Sequence, residues 1–235
     1  MSAPAQRRQP AAARAEQAAP ELVPVRVWDR PVRVLHWLLF AAIAVLSVTG
    51  FLIGDPVLRL GPASDWVTWV KTAHAFTAYV FIALLLARVI WMFSSPNRWS
   101  RWDQWIPASR ERWRGMVPSV RFYLFLDRDP PPVTGHNPLA GATYFVLYLM
   151  FSVEIVTGVT LWGAEGEHWA ATLTGWLPPL VPLQTIRFIH HLIMWLTAGF
   201  LIHHVYSAML IDRAEGSGLM SSIFSGFKFL PRDRT

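Results

Sequence analysis

Three observations predict an all-α integral membrane four-helix bundle with both termini on the cytoplasmic side. More than half of the 235 residues are hydrophobic, and only 15% are charged, against about a quarter in a soluble domain. The apolar residues gather into runs long enough to cross a bilayer. The arginines gather in the segments between those runs, which orients them.

The chain opens with residues 1–24, rich in Ala, Pro, Gln and Arg, which read as a disordered cytoplasmic tail. Arg7-Arg8 is not the start of a twin-arginine export signal, because no apolar stretch follows closely. A membrane domain is expected over 25–212. Its first helix, about 32–53, is entered at Pro31, a favourable first-turn residue. The second is expected at about 70–93. The third, about 138–162, again begins at a proline, and the fourth spans about 184–211. Residues 213–235 are expected to be a cytoplasmic tail.

Arg7, Arg8, Arg14, Arg26, Arg30 and Arg33 precede or enter the first helix, and seven arginines lie in the 94–137 connection. The other two connections are poor in basic residues: Arg59, with Lys71 just inside the second helix, and then none before Arg187. The positive-inside rule therefore places both termini and the long connection in the cytoplasm. In that connection Trp99, Trp102, Trp105, Trp113, Phe122, Tyr123 and Phe125 interleave with the arginines. This is the composition of an amphipathic segment lying on the membrane surface. The net charge of +6 is thus assigned to topology and lipid headgroups, not to nucleic acid. The absence of cysteine excludes disulfides, covalently attached haem and an iron–sulfur cluster held by this chain.

The fourth helix carries two histidine doublets, His190-His191 and His203-His204. Histidine in hydrocarbon is costly and marks function. At about 100° per residue only His190 and His204 share a face, separated by roughly 40° and about 21 Å along the axis. One helix thus offers an imidazole near each membrane surface, the arrangement two stacked haems require. Depth supplies the partners. His74, near the start of the second helix, pairs with His190 on the outer side. His36, near the start of the first, pairs with His204 on the inner side. A single intramembrane histidine is more often a packed, hydrogen-bonded side chain, but four that agree in depth and face indicate ligands. Each pair would fill both axial positions of a haem iron, leaving none for oxygen or substrate. The expected chemistry is electron transfer through two non-covalent haem b groups.

Anionic propionates need cations. Lys71 and Arg187 lie three residues before His74 and His190 and share their faces, so they are assigned to the outer haem, with Arg88 or Arg33 for the inner one. Lipid phosphate contact or snorkelling accounts for these cations equally well. Ala44, Ser47, Thr49, Gly50 and Gly158 are small enough to admit a porphyrin or to pack helices closely. A short internal echo suggests duplication of a helix pair. Lys71-x-x-His74 with Arg88-Val89 matches Arg187-x-x-His190 with His204-Val205, and Val48-Thr49-Gly50 matches Val156-Thr157-Gly158. Glu154 lies deep in the third helix, where a carboxylate is expensive; it is read as paired with a polar neighbour, or as a proton or quinone contact. His191 and His203 point off the ligand face, and His136 and His168 lie in loops without an assigned iron.

The stretches Val27-Trp28-Asp29-Arg30-Pro31-Val32-Arg33 leading to His36-Trp37, Val48 to Gly54, and Ile186-Arg187-x-x-His190, together with Gly135-His136-Asn137-Pro138-Leu139-Ala140 and His190 to Tyr206, resemble one family. It is the b-type cytochrome subunit of membrane-bound nickel–iron hydrogenases, within the four-helix di-haem cytochrome b superfamily that includes formate dehydrogenase gamma subunits. The similarity covers about Val27 to Gly226 and implies His36, His74, His190 and His204 as ligands. It further implies a bacterial inner-membrane location and hydrogenase small and large subunits as partners. Electrons would pass from the periplasmic small subunit through the outer and inner haems to quinone, with membrane lipid around the bundle and no hydrogen splitting by this chain. The alternatives are an equivalent subunit of formate dehydrogenase or another quinone-linked oxidoreductase, and a non-haem transporter or scaffold.

Overall fold

The computed structural model describes residues 21–54 and 64–232. The first twenty residues, with Arg7, Arg8 and Arg14, and Arg59 in the first connection lie outside the described residues. The order is β1 (Leu22–Arg26), α1 (Arg30–Gly54), α2 (Ser64–Ser94), two 3-10 turns (Arg98–Ser100 and Trp102–Gln104) and α3 (Arg110–Tyr123). There follow α4 (Pro138–Ala164), α5 (His168–Thr174), α6 (Leu183–Glu215), α7 (Leu219–Ser225) and β2 (Phe227–Pro231).

Helices α1, α2, α4 and α6, of 25, 31, 27 and 33 residues, exceed the length needed to cross a hydrocarbon core of about 30 Å at 1.5 Å rise per residue. Each is apolar enough to do so. Val48, Phe76, Leu86, Leu149 and Ile202 are exposed, as expected of side chains solvated by lipid. The molecule is a multi-pass membrane protein. Its start signals are local: Pro138 takes the first turn of α4, and the Asn137 side chain accepts from the Ala140 N–H. Gly216, at φ 61°, ends α6 in a left-handed cap.

α1 packs on α2, and α4 on α6. Ala42, Phe81, Leu85, Leu147 and Phe151 form the buried centre, with Phe81 and Phe151 edge to face at 5.2 Å. Phe81 of this layer lies near the middle of α2, seven residues from both His74 and Arg88.

Two expectations need correction. Leu22–Pro24 are not loose tail, and the C-terminal residues up to Arg232 are not a tail at all. β1 pairs antiparallel with β2, from Leu22↔Pro231 to Arg26↔Phe227, so the segments before α1 and after α6 meet at one end of the bundle. The Gly226 carbonyl accepts from the N–H groups of Val27 and Trp28 at 2.9 and 3.1 Å. A Cβ on Gly226 would lie 2.8 Å from the Trp28 carbonyl, at a φ of +93° that favours glycine. Trp28 Nε1 donates to Ser222 Oγ at 2.9 Å. Lys228, 1% exposed, bonds to Glu215 at 2.9 Å, and Ser217 donates to the same carboxylate. Asp29 accepts from Ser95 and Asn97 at 2.9 and 3.1 Å, tying the start of α1 to the end of α2. The aromatic residues of the long connection also divide. Trp113 and Phe125 are exposed, but Trp105 and Phe122 are buried, so Trp105 and Phe122 are structural and not interfacial.

Candidate metal centres

At the end of the bundle that carries β1 and β2, α1 and α6 bring His36 and His204 together, with ring centres 6.3 Å apart and planes tilted by 45°. Towards the opposite end, α2 and α6 bring His74 and His190 to 6.4 Å. Two imidazoles, each bound through one nitrogen at about 2 Å to a metal between them, place their ring centres roughly 6 Å apart. All four side chains are half-buried. Among the described residues, no group of three or more His, Cys, Asp or Glu converges on one point.

The two pairs differ in what holds them. His74 Nδ1 lies 2.8 Å from Thr49 Oγ1, and His190 Nδ1 lies 3.0 Å from Thr157 Oγ1. The glycine after each threonine faces the same ring. A Cβ on Gly50 would stand 3.4 Å from His74 Cε1, and one on Gly158 3.0 Å from His190 Cε1. The Val-Thr-Gly echo is thus two copies of an imidazole seat, a role beyond the porphyrin approach or helix packing that small residues suggest in sequence. The repetition of the tripeptide was the signal available. At the other end, His204 Nδ1 lies 3.3 Å from Tyr144 Oη and its ring stacks on Phe200. His36 Nδ1 is buried with no hydrogen-bond partner. Tyr144 and Phe200 were not anticipated, since neither stands out in an aromatic-rich chain.

The cations are also unequal. Arg88 is 4% exposed, lies over the Trp105 ring at 4.5 Å, and keeps a buried Nη1 without a partner. Arg33 bonds to the Phe224 carbonyl and likewise keeps a buried, unpartnered Nε. Buried guanidinium N–H groups without acceptors fit an anionic group that would lie near His36 and His204. Lys71 is instead engaged with Glu165 at 2.8 Å on an exposed surface, and Arg187 bonds to Gln184 at 2.9 Å.

The remaining histidines do not join either pair. His191 bonds to the Arg187 carbonyl and points at Gly54, and His203 bonds to Ser207. His168 begins α5 and is exposed. His136 is enclosed by Trp28, Trp105 and Tyr144. Burial, then the charges of Arg88, Arg112, His204 and Lys228, lower its pKa to about 3, so it is neutral. Glu154 lies 3.4 Å from His190 Nδ1.

Residues 27–226 match the family described as prokaryotic cytochrome b561. The chain is 36% identical to a probable Ni/Fe-hydrogenase B-type cytochrome subunit of Bradyrhizobium diazoefficiens, over 86% of this chain and 85% of that one. It is 35% identical to one of Azotobacter vinelandii, over 89% and 90%. A probable Ni/Fe-hydrogenase 1 B-type cytochrome subunit of Escherichia coli K12 is 31% identical, over 91% and 94%. With four membrane-spanning helices and a match along nearly all of the described chain, this protein belongs to the prokaryotic cytochrome b561 family, whose members carry b-type haem.

Proposed function

We propose that this chain is the membrane electron conductor of a nickel–iron hydrogenase, holding one haem b between His74 and His190 and a second between His36 and His204. The observation that carries the reading is the two imidazole pairs, with ring centres 6.3 and 6.4 Å apart, at two depths of one helix. The names of the relatives support the choice of hydrogenase. Bound there, haem would supply a one-electron iron couple, held by His74 with His190 and by His36 with His204. The chain's own residues orient the imidazoles, exclude water with the Phe81–Phe151 layer between the sites, and neutralise propionates. The orphaned N–H groups of Arg88 and Arg33 suit them for the His36–His204 site. At the other site Arg187 is the better placed cation, because Lys71 already has a carboxylate partner.

The arginine-rich segments assign the β1–β2 end to the cytoplasm. The His74–His190 site then faces the periplasm, where a hydrogenase small subunit would deliver electrons. The His36–His204 site would then lie on the side from which electrons leave for quinone.

The test counts haem. Wild-type protein should give two haem b per chain in a pyridine haemochrome assay, and hydrogen gas should reduce both when the partner subunits co-purify. Alanine at either member of a pair should leave one haem. Alanine at both members of a pair should remove no more, and one alanine in each pair should remove both. Haem-free wild-type protein overturns the cytochrome assignment. Co-purification with a molybdenum protein, or haems that active partners and hydrogen fail to reduce, overturns the hydrogenase one.

A further inference from the structure

Thr49 and Thr157 each have one hydroxyl proton to give. Thr49 Oγ1 lies 2.7 Å from the Val45 carbonyl, and Thr157 Oγ1 2.8 Å from the Val153 carbonyl, one turn back on the same helix. A carbonyl only accepts, so each threonine donates to it, as helical threonines commonly do. The hydroxyl is left as an acceptor towards the imidazole. Its contact to Nδ1, at 2.8 Å for His74 and 3.0 Å for His190, therefore requires the proton to sit on Nδ1. The Leu46 and Glu154 carbonyls lie 3.2 and 3.0 Å from the same two hydroxyls, so each hydroxyl proton has a second backbone acceptor on its own helix. Each carbonyl lies three residues before its threonine, so the arrangement is built twice. The lone pair is then on Nε2 of both rings. His204 has only the longer Tyr144 contact, and His36 Nδ1 has none.

We propose that Thr49 and Thr157 are positioning residues for the His74–His190 haem: each hydroxyl holds the proton on Nδ1, directs Nε2 to the iron, and through that hydrogen bond tunes the iron. This rests on the cytochrome reading above. An imidazole whose N–H is bonded to an acceptor is a more basic ligand, and a more basic ligand favours ferric over ferrous iron. Loss of the acceptor raises the potential of that haem and leaves the other unchanged.

Thr49→Val and Thr157→Val keep the side-chain shape and remove the acceptor; Thr→Ser at the same positions keeps it. The full chain, purified with its haem, is titrated redox-optically and resolved into two one-electron components. The double valine variant should shift one component to higher potential by about 59 mV, a tenfold loss of ferric preference for a one-electron couple. The other component should stay, and serine should restore the wild-type value. Loss of one haem in the valine variant with retention in the serine variant supports the proposal as well. Two bound haems with unmoved potentials, equal shifts of both components, or serine behaving as valine would overturn it while leaving the cytochrome reading intact. Wild-type protein without haem overturns both.

Discussion

At the residue scale, the seats of His74 and His190 differ by a few tenths of an ångström, and that difference is measurable. A methyl on Gly50 would meet His74 at 3.4 Å, an ordinary contact, whereas one on Gly158 would meet His190 at 3.0 Å, tighter than a normal approach. Gly158→Ala should therefore displace the His190 ring and reduce occupancy of that haem, while Gly50→Ala should leave both haems bound; haem-to-protein ratios decide it. His136 makes a second residue-scale prediction. Its folded value of about 3 lies far below the unfolded value of about 6.5, so between those pH values the unfolded chain binds the extra proton. Stability should fall as pH drops from about 6.5 towards 3, by at most one proton's slope. His136→Phe should flatten that dependence in thermal melts at a series of pH values. The glycines were legible as a repeated tripeptide, but the environment of His136 was not. A loop histidine reads the same in sequence whether it is solvated or walled in by Trp28, Trp105 and Tyr144.

At the element scale, the duplicated helix pair acquires a physical meaning. His74 of α2 sits on the Val-Thr-Gly of α1, and His190 of α6 on that of α4. Counted from the same motif, His36 corresponds to Tyr144, each twelve residues before its valine; counted from the matched histidines, Arg88 corresponds to His204. The His74–His190 site is therefore made of equivalent residues from both halves. The other site takes His36 from one half and His204 from the other, with Tyr144 at 3.3 Å from His204 and the Arg88 charge bearing on His36. The spans themselves were legible to within a few residues, since about twenty apolar residues announce a membrane helix. The start of α2 was placed six residues late, and α5 and α7 were missed, because seven-residue helices carry too few turns to show a period.

At the scale of the whole molecule, β1 and β2 close the bundle at the end nearest His36 and His204. The Lys228–Glu215 pair beneath them is 1% and 8% exposed. Removing one partner of such a pair strands a buried charge at a cost of about 3–5 kcal/mol. Lys228→Met should lower the melting temperature of the purified protein, and Lys228→Met with Glu215→Gln should recover most of the loss. Orientation is testable because the chain has no cysteine. In intact cells an impermeant thiol reagent should label Trp176→Cys, between α5 and α6, and should reach Ser225→Cys, at the end of α7, only after lysis. The opposite pattern would invert the assignment of the two sites.

The amino-acid sequence by itself determined the number of spans and the depth of each histidine. Both follow from local quantities: how many apolar residues run together, and how far along a helix of fixed rise a side chain stands. Only the tertiary structure decided that the imidazoles meet at 6.3 and 6.4 Å, that threonine hydroxyls hold one pair, and that the two ends of the chain join in a sheet. Those contacts lie between residues as far apart as Leu22 and Pro231. No helical period links such positions; packing alone brings them together.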